Sequence, residues 1–200
     1  MASKIILSLC DYSGRWPQFY DRGDGYTVWR VDLKYNSDVR RLPFIEGGAI
    51  HGILAAPPCT AFSLAGAQYW PAKDASGETD AGLALVDACL RAVALYRPKW
   101  WALENPVGRL RRWLGPPRFM FHPHEFAGWS DADAQSADRY TKRTLLWGSF
   151  KAPERRPMPP IRACKAGSWI MQLGGKSERT KELRSMTPLG FARAFREANP

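Results

Sequence analysis

Residues 50–63 read IHGILAAPPCTAFS, and this stretch decides the fold. An apolar run with the length of a strand ends at Ala56, two prolines follow, and Cys59 comes directly after them. The pattern predicts a buried strand over residues 50–56 with a thiol just beyond its carboxyl end. Open α/β sheets bind their ligands beyond the carboxyl ends of the strands. Cys59 is therefore a candidate nucleophile.

The length and composition of the chain restrict the class of protein. Two hundred residues suit one domain with a normal core, and a hydrophobic fraction of 45% is ordinary for a globular protein. Neither a signal peptide nor an apolar run near the roughly 20 residues of a membrane span is present. The sequence predicts a soluble, cytoplasmic protein without a membrane partner.

The chain is strongly basic. Lys and Arg number 29 against 19 Asp and Glu, which gives a formal net charge of +10. An excess of this size favours a polyanionic partner, because each phosphate that a protein neutralises releases counterions. Nucleic acid is the natural candidate, and a solubilising basic surface is the alternative.

Cysteine and histidine spacing does not predict a metal site. The cysteines lack the paired spacing of a zinc site, and a cytosolic protein gives no reason to expect disulfides, so most should be inert, buried thiols. His122 and His124 are separated by Pro123 and precede Glu125, without a clear third ligand. The four cysteines are Cys10, Cys59, Cys89 and Cys164.

Two further strands are predicted ahead of the central stretch. Residues 4–9 form an apolar run that breaks at turn formers, and residues 26–33 return to strand character with Asp32 at the end. An acidic side chain about 20 residues after the first turn is the usual ligand of a ribose diol in nucleotide-binding folds. This first turn has one glycine, Gly14, and no Gly-x-Gly. Asp38 suits either an adenine amino group or a simple cap.

A βαβ unit follows the cysteine. Residues 79–96 have helical periodicity, and residues 100–103 form an apolar strand that ends in a Glu-Asn-Pro sequence beginning at Glu104. A right-handed crossover would set the two strands parallel and bring Cys59 and Glu104 into one crevice. Residues 69–77 have no periodicity and are predicted to form a mobile loop beside the nucleophile.

The rest of the chain is less regular. We expect a strand over residues 141–147 after the polar segment 130–140, and a basic, proline-rich, extended surface segment over residues 155–160. Residues 191–198 are predicted to form a helix with Pro188 near its first turn. Together these patterns predict an α/β protein with a mostly parallel sheet and helices on both faces.

The cysteine and the glutamate suit chemistry on a pyrimidine. A thiolate adds at C6, and a group that donates a hydrogen bond or proton at N3 makes C5 nucleophilic. A Pro-Pro-Cys sequence alone is more often a loop with a structural thiol, and Glu-Asn-Pro alone is usually a turn after a strand. Joined through one βαβ unit, the two favour catalysis.

The sequence PPCTAFS at residues 57–63, followed by LENP at residues 103–106, resembles the cytosine-C5 DNA methyltransferases, particularly the short forms of phages and prophages. In that family the Pro-Cys loop carries the nucleophile and the Glu-Asn motif carries the acid. The resemblance thus implies a Rossmann-like methyltransferase fold, with S-adenosylmethionine or a modified form of it as methyl donor. It implies DNA as partner, a flipped target cytosine and a covalent adduct with Cys59.

The resemblance spans nearly the whole chain and implies further site residues. The family's double-arginine motif, which supports the base, is reduced here to Lys142-Arg143, so Arg143 joins Cys59 and Glu104 as a catalytic candidate. Candidate contacts to the donor are Asp11, Ser13, Gly14, Asp32, Leu33, Asp38 and Pro57. Candidate contacts to the substrate are Pro58, Phe62, Ser63, Asn105, Arg109 and Arg112.

The chain also departs from the family. The first loop continues Ser-Gly-Arg-Trp-Pro, which implies a reshaped pocket at the methionine end of the donor. His51 stands where the family often has Asp and is expected to be a neutral core residue. We expect a catalytic core over residues 1–150, a short substrate-side insertion over 151–185 and a closing helix within 186–200. Because so short an insertion cannot hold a large target-recognition domain, sequence specificity should be short, relaxed or supplied by something else.

Other functions stay open at this stage. The same residues occur in the branch of the family that acts on tRNA, so cytosine in RNA is the nearest rival substrate. A free pyrimidine nucleotide is a further candidate, which the lack of a recognition domain permits. A basic nucleic-acid-binding module that has kept the fold without turnover is the alternative of another class.

Overall fold

The computed structural model of the chain describes residues 3–21, 25–43, 50–162, 169–171, 173 and 177–200. Cys164 lies outside the described residues. Within them, six strands form one sheet. The strands are β1 (Lys4–Leu9), β2 (Tyr26–Val31), β3 (Ile50–Ala55), β4 (Trp100–Pro106), β5 (Phe119–Phe121) and β6 (Thr144–Ser149).

The sheet is mostly parallel and has the order β2-β1-β3-β4-β6-β5. The pairs β1–β2, β1–β3 and β3–β4 are parallel, whereas β6 runs antiparallel to β4. Ala55, the last residue of β3, pairs with Leu9 on one side and Leu103 on the other. The carboxyl ends of these three strands therefore lie side by side. The predicted α/β class with a mostly parallel sheet is confirmed.

Helices connect the strands and follow them. The α-helices of the described residues are α1 (Gln18–Asp21), α2 (Trp70–Ala75), α3 (Glu78–Tyr96), α4 (Arg111–Leu114), α5 (Ala132–Asp138), α6 (Glu178–Ser185) and α7 (Leu189–Ala198). The longest of these, α3, lies within one residue of its predicted bounds, because its apolar face repeats over five turns. It ends at Tyr96, and the next residue, Arg97, has a left-handed φ of 47° and precedes Pro98.

The predicted mobile loop at residues 69–77 is wrong. A 3₁₀ helix covers Leu64–Tyr69, and α2 follows at once. Pro71 lies in the first turn of α2, where its missing N–H leaves no hydrogen bond unmade. Six residues are too few to display helical periodicity, so this helix depends on tertiary contacts made by Lys73 and Asp74, which are described below.

The strand predicted to end in the Glu-Asn-Pro sequence is confirmed, because β4 runs through Glu104 and Asn105 to Pro106. These last residues pair with β6, which comes about 40 residues later in the chain and so leaves no local signal. The proline is tolerated because it occupies the final position of the strand. The Glu-Asn-Pro motif thus lies on the rigid sheet and not in a loop. The strand predicted over residues 141–147 begins three residues later, and the polar segment before it contains α5.

The core of the sheet lies around β3, whose six residues are all buried. Ile53 and Leu54 have no exposed surface, and Cys89 of α3 belongs to the same apolar cluster as Ile53. Gly52 permits the close approach of β4, since a Cβ at this position would lie 2.1 Å from the ring of Trp100. His51 is buried beside the same ring, as predicted for a core histidine.

The chain separates into two compact units by its internal contacts. The first contains residues 1–120 and 144–150, and the second contains residues 121–143 and 151–200. An aromatic cluster forms the centre of the second unit, in which the rings of Phe121 and Phe191 stack at 4.0 Å. The functional subdivision predicted at residues 150 and 185 stays a prediction. Among the described helices, none has both the length and the apolar character that crossing a bilayer requires.

Candidate active site

The strand order creates a topological switch point between β1 and β3. The chain leaves β1 toward β2 and leaves β3 toward β4, so the two connections diverge to opposite sides. In open α/β sheets, ligands bind at the carboxyl ends of two such strands. Residues 10–15 follow β1, and residues 56–63 follow β3. These two loops, with the end of β4 beside them, form the candidate site.

The loop after β1 is a tight turn organised by Asp11. Its Oδ1 accepts hydrogen bonds from the Ser13 hydroxyl at 2.6 Å and from the Gly14 N–H at 3.1 Å. Gly14 has a φ of +63°, and a Cβ there would lie 2.7 Å from the Arg30 guanidinium. The second carboxylate oxygen, Oδ2, is buried and has no partner among the described residues. An orphaned acceptor at a switch point suits a ligand that donates a hydrogen bond.

Cys10 begins this loop with a left-handed φ of 57°, a conformation that costs a non-glycine residue energy. Its N–H donates to the Val31 carbonyl at 2.8 Å, which fixes the end of β1 against β2. The pKa of the buried Cys89 thiol is raised by its hydrogen bond with Cys10 and by burial. Cys10, with its strained backbone, thus lies next to the core of the first unit.

Two predicted donor contacts, Asp32 and Asp38, act as caps of 3₁₀ turns. Asp32 Oδ1 accepts from the Lys34 N–H at 2.9 Å, and its other oxygen accepts no hydrogen bond from a described residue. Asp38 accepts the N–H and the guanidinium of Arg40, which lower its pKa to about 2. Asp32 keeps an oxygen for a ligand hydroxyl, whereas the carboxylate of Asp38 is engaged. Leu33, next to Asp32, is 57% exposed.

A pair of tyrosines joins the loop after β1 to the turn after β2. The Tyr35 hydroxyl donates to the Tyr12 carbonyl at 2.8 Å, and the ring centres lie 5.2 Å apart. Lys34 Nζ lies 4.5 Å from the centre of the Tyr12 ring. Sequence reasoning missed this pair, because two exposed tyrosines 23 positions apart carry no motif.

The Pro-Pro-Cys loop is a turn held by its own backbone. The Cys59 carbonyl accepts the N–H groups of Phe62 and Ser63, both at 2.9 Å. Pro57 is buried, Pro58 is exposed and Cys59 is partly exposed. The turn therefore keeps the thiol residue at the surface while the residues on either side anchor it.

A side-chain hydrogen bond connects this loop to the Glu-Asn-Pro motif. Asn105 Nδ2 donates to the Pro57 carbonyl at 2.9 Å, and Asn105 has no exposed surface. Its Oδ1 is buried without a partner among the described residues. Glu104, the preceding residue, is partly exposed. The two predicted catalytic motifs thus meet at the carboxyl edge of the sheet.

Arg109, a predicted substrate contact, has a buried side chain that holds the loop in place from inside the protein. Its guanidinium is 3% exposed and forms a bidentate pair with the Asp74 carboxylate at 2.8 and 2.9 Å. The same guanidinium donates to the Ala61 carbonyl at 2.9 Å and to the Thr79 hydroxyl at 2.6 Å. Its backbone N–H bonds the Phe62 carbonyl. Sequence reasoning missed the partners on α2 and α3, since they lie 30 and 35 residues away.

Two other predicted substrate contacts make structural contacts. Phe62 has no exposed surface and packs edge-to-face on Trp113 with ring centres 5.9 Å apart. Ser63 caps the following 3₁₀ helix by accepting the Ala65 N–H. Lys73 of α2 donates to the Thr60 carbonyl at 3.1 Å. The segment after Cys59 is therefore held by contacts with Lys73 of α2 and with Trp113 of α4. Arg109, Phe62 and Ser63 thus make contacts within the protein, and their contact with a substrate stays a prediction.

The other predicted basic contacts lie on different units. Arg112 is exposed in the first unit, with its guanidinium carbon 5.8 Å from the ring centre of Trp70. Arg143 is exposed in the second unit. Burial lowers the pKa of His122, and the charge of Arg143 adds to this effect. The described residues contain no group of three or more His, Cys, Asp or Glu side chains arranged to hold a metal ion. The catalytic role of Arg143 stays a prediction.

Comparison with family models and with curated proteins finds no match to this chain.

Proposed function

We propose that this chain is a cytosine-C5 methyltransferase that acts on DNA with S-adenosylmethionine as methyl donor. The observation that carries the proposal is the hydrogen bond from Asn105 to Pro57, because it joins the Pro-Pro-Cys loop to the Glu-Asn-Pro strand end at the ligand-binding edge of the sheet. A cysteine nucleophile and an acid on adjacent, fixed elements are what attack on a cytosine ring requires.

In the proposed reaction, Cys59 acts as a thiolate and adds to C6 of a cytosine extruded from its stack. Glu104 donates a hydrogen bond or proton at N3 and so stabilises the electron density that moves into the ring. S-adenosylmethionine, when bound, would supply an electrophilic methyl group for C5 and would leave as S-adenosylhomocysteine. Transfer of the C5 proton to water and return of the N3 proton to Glu104 then restore the ring and expel the Cys59 thiolate. Cys59 thus serves as nucleophile and leaving group at C6, and Glu104 assists at N3.

The residues at the switch point fit the methyl donor in chemistry. S-adenosylmethionine carries a ribose diol and an amino group, which both donate hydrogen bonds. Asp32 keeps one carboxylate oxygen without a partner among the described residues, and Asp11 Oδ2 is an orphaned acceptor at the adjacent loop. We propose that Asp32 holds the ribose and that the Asp11 turn with Ser13 and Gly14 lies beside the donor. Asp38 is not part of this set.

The substrate side of the proposal is supported by charge. A net charge of +10 favours a polyanion, and flipping a base costs a few kcal/mol that protein contacts must offset. DNA is proposed over RNA because the resemblance to the short DNA-acting forms spans nearly the whole chain, whereas the two motifs alone also occur in the tRNA-acting branch. RNA and free deoxycytidylate are therefore arms of the test.

The test is methyl transfer from labelled S-adenosylmethionine to duplex DNA, single-stranded DNA, tRNA and deoxycytidylate, followed by digestion and identification of the labelled base. We expect label at C5 of cytosine in DNA, absent with Cys59→Ser and retained with Thr60→Ala, an exposed control in the same loop. Transfer only to tRNA or to deoxycytidylate would refute the DNA assignment. Binding of nucleic acid without transfer to any substrate would favour the non-catalytic module.

A further inference from the structure

A groove of about 560 Å³ lies next to the Pro-Pro-Cys loop in the first unit. Its volume is within the range of clefts that hold small molecules or single building blocks of a polymer. Its walls come from the segment after the loop, from α2 and from the segment that follows β4. The lining residues are Leu64, Trp70, Val107, Gly108, Arg109, Arg111 and Arg112.

The backbone of the groove is continuous with the loop that carries Cys59. The Leu64 N–H donates to the Val107 carbonyl at 3.0 Å, and Ser63 forms an isolated β-bridge with Gly108. A Cβ at Gly108 would lie 2.0 Å from the Phe62 carbonyl oxygen, so only glycine permits this approach. The groove therefore adjoins the segment that directly follows the Cys59 loop in the chain.

The charge in the groove is positive and largely uncompensated. Asp74 neutralises the buried Arg109, but neither Arg111 nor Arg112 forms an ion pair with a described residue. Arg111 and Arg112 are both exposed. Trp70 is another lining residue, and its indole N–H is buried and has no acceptor among the described residues. The lining residues thus include two exposed guanidinium groups and no carboxylate, and the nearby Asp74, which pairs with Arg109, also feels the charge of Arg112.

We propose that this groove binds the sugar–phosphate backbone beside the target nucleotide, with Arg111 and Arg112 contacting phosphates. Its placement beside a reacting base rests on the proposed function. Guanidinium groups are the preferred partners of phosphate oxygens, and phosphate contacts set the position of a nucleic acid without reading its sequence. A groove that binds phosphates would let the protein hold DNA, although few of its residues are left to read the bases beside the target.

The test is the affinity of the protein for fluorescein-labelled DNA of about 20 nucleotides, measured by fluorescence anisotropy without methyl donor between about 50 and 200 mM salt. The double variant Arg111→Ala/Arg112→Ala is compared with Arg97→Asn/Lys99→Ala, which loses the same charge. The control pair lies just before the start of β4, roughly 20 Å from the groove along a strand of seven residues. Asn suits the left-handed φ of Arg97.

For single-stranded DNA, we expect the groove variant to raise Kd at least about tenfold and to lower the slope of log K against log salt by about 1.4, since each phosphate contact contributes about 0.7. The control variant should shift both quantities far less. Equal effects of the two variants would overturn the proposal, because they would show only a loss of net charge. Melting temperatures of both variants would show that each is folded.

A neutral backbone gives an independent readout. DNA with methylphosphonate linkages should bind the wild-type protein more weakly, and the groove variant should be less sensitive to the substitution. If the enzyme methylates DNA while the groove variant keeps the wild-type Kd and KM, this inference fails and the proposed function stands. If binding depends on the groove but no methyl transfer occurs, the phosphate site stands and the proposed function fails.

Discussion

Asn105 Nδ2 lies 2.9 Å from the carbonyl oxygen of Pro57 and donates a hydrogen bond to it across 48 positions of sequence. The bond is fully buried, so no water competes for the carbonyl. It couples the rigid end of β4 to the loop in which Cys59 lies. The position of the loop therefore depends on a residue that need not touch the substrate.

Removing this bond should cost both stability and rate. Asn105→Ala leaves the Pro57 carbonyl without its donor, and an unsatisfied buried group costs about 1–3 kcal/mol. We expect a lower melting temperature and a kcat that falls more than the KM for the methyl donor. Asn105→Asp keeps the shape without the donor and should show the same kinetic effect. Wild-type kcat in both variants would show that the bond does not position the loop.

The Arg109–Asp74 pair makes the loop sensitive to acid. Hydrogen bonds from Arg109 and Thr79 lower the pKa of Asp74 below its ordinary value of 3.8. Because the folded-state pKa is lowered, the contribution of Asp74 to stability is complete above the unfolded pKa and is lost as pH falls through the folded pKa. Asp74→Asn should thus be less stable than wild type at neutral pH. The difference in urea midpoint should shrink below about pH 4, and a constant difference would contradict this account.

Gly108 should be intolerant of any side chain. In Gly108→Ala the new methyl group would lie 2.0 Å from the Phe62 carbonyl, so the loop backbone must move. We expect strongly reduced methyl transfer and a lower melting temperature. Gly66→Ala is the matched control, because its nearest neighbour would be the Thr60 carbonyl at an ordinary 3.9 Å. Similar activity in the two variants would argue against a close-packed loop.

Glu104→Gln tests the proposed acid. The amide cannot supply a proton at N3, and loss of general acid assistance costs about 10²- to 10⁴-fold in rate. The affinity for S-adenosylmethionine, measured by calorimetry, should stay within a few-fold of wild type, since Glu104 is not among the proposed donor contacts. A fall in donor affinity with unchanged kcat would place Glu104 in a different role.

The sequence predicted best those elements whose signals are local. The apolar run of β3 and the periodic face of α3 were within one residue of their bounds, and the turn after β1 lies where it was expected. The helix at residues 70–75 was missed because its stability comes from contacts of Lys73 and Asp74 with distant residues. Such contacts leave no pattern in the sequence.

The candidate site shows the same difference between local signals, which can be read from the sequence, and long-range contacts, which cannot. The cysteine and glutamate were identifiable because each follows or ends an apolar run at the carboxyl edge of a predicted sheet. Arg109 was a candidate contact to the substrate, whereas the structure shows that its buried guanidinium supports the loop. Burial depends on packing between segments that are far apart in sequence. The sequence alone therefore does not distinguish a basic residue on the surface from one whose buried side chain supports a loop.

The central claim is that Cys59 attacks C6 of cytosine, and the most direct measurement is mass spectrometry of the protein after incubation with DNA containing 5-fluorocytosine and S-adenosylmethionine. Fluorine at C5 cannot leave as the proton does, so elimination of the thiol is blocked and the adduct should persist. The account predicts a covalent protein–DNA product linked through Cys59 and absent with Cys59→Ser. Methyl transfer to ordinary cytosine without any such adduct, or an adduct at another residue, would contradict it.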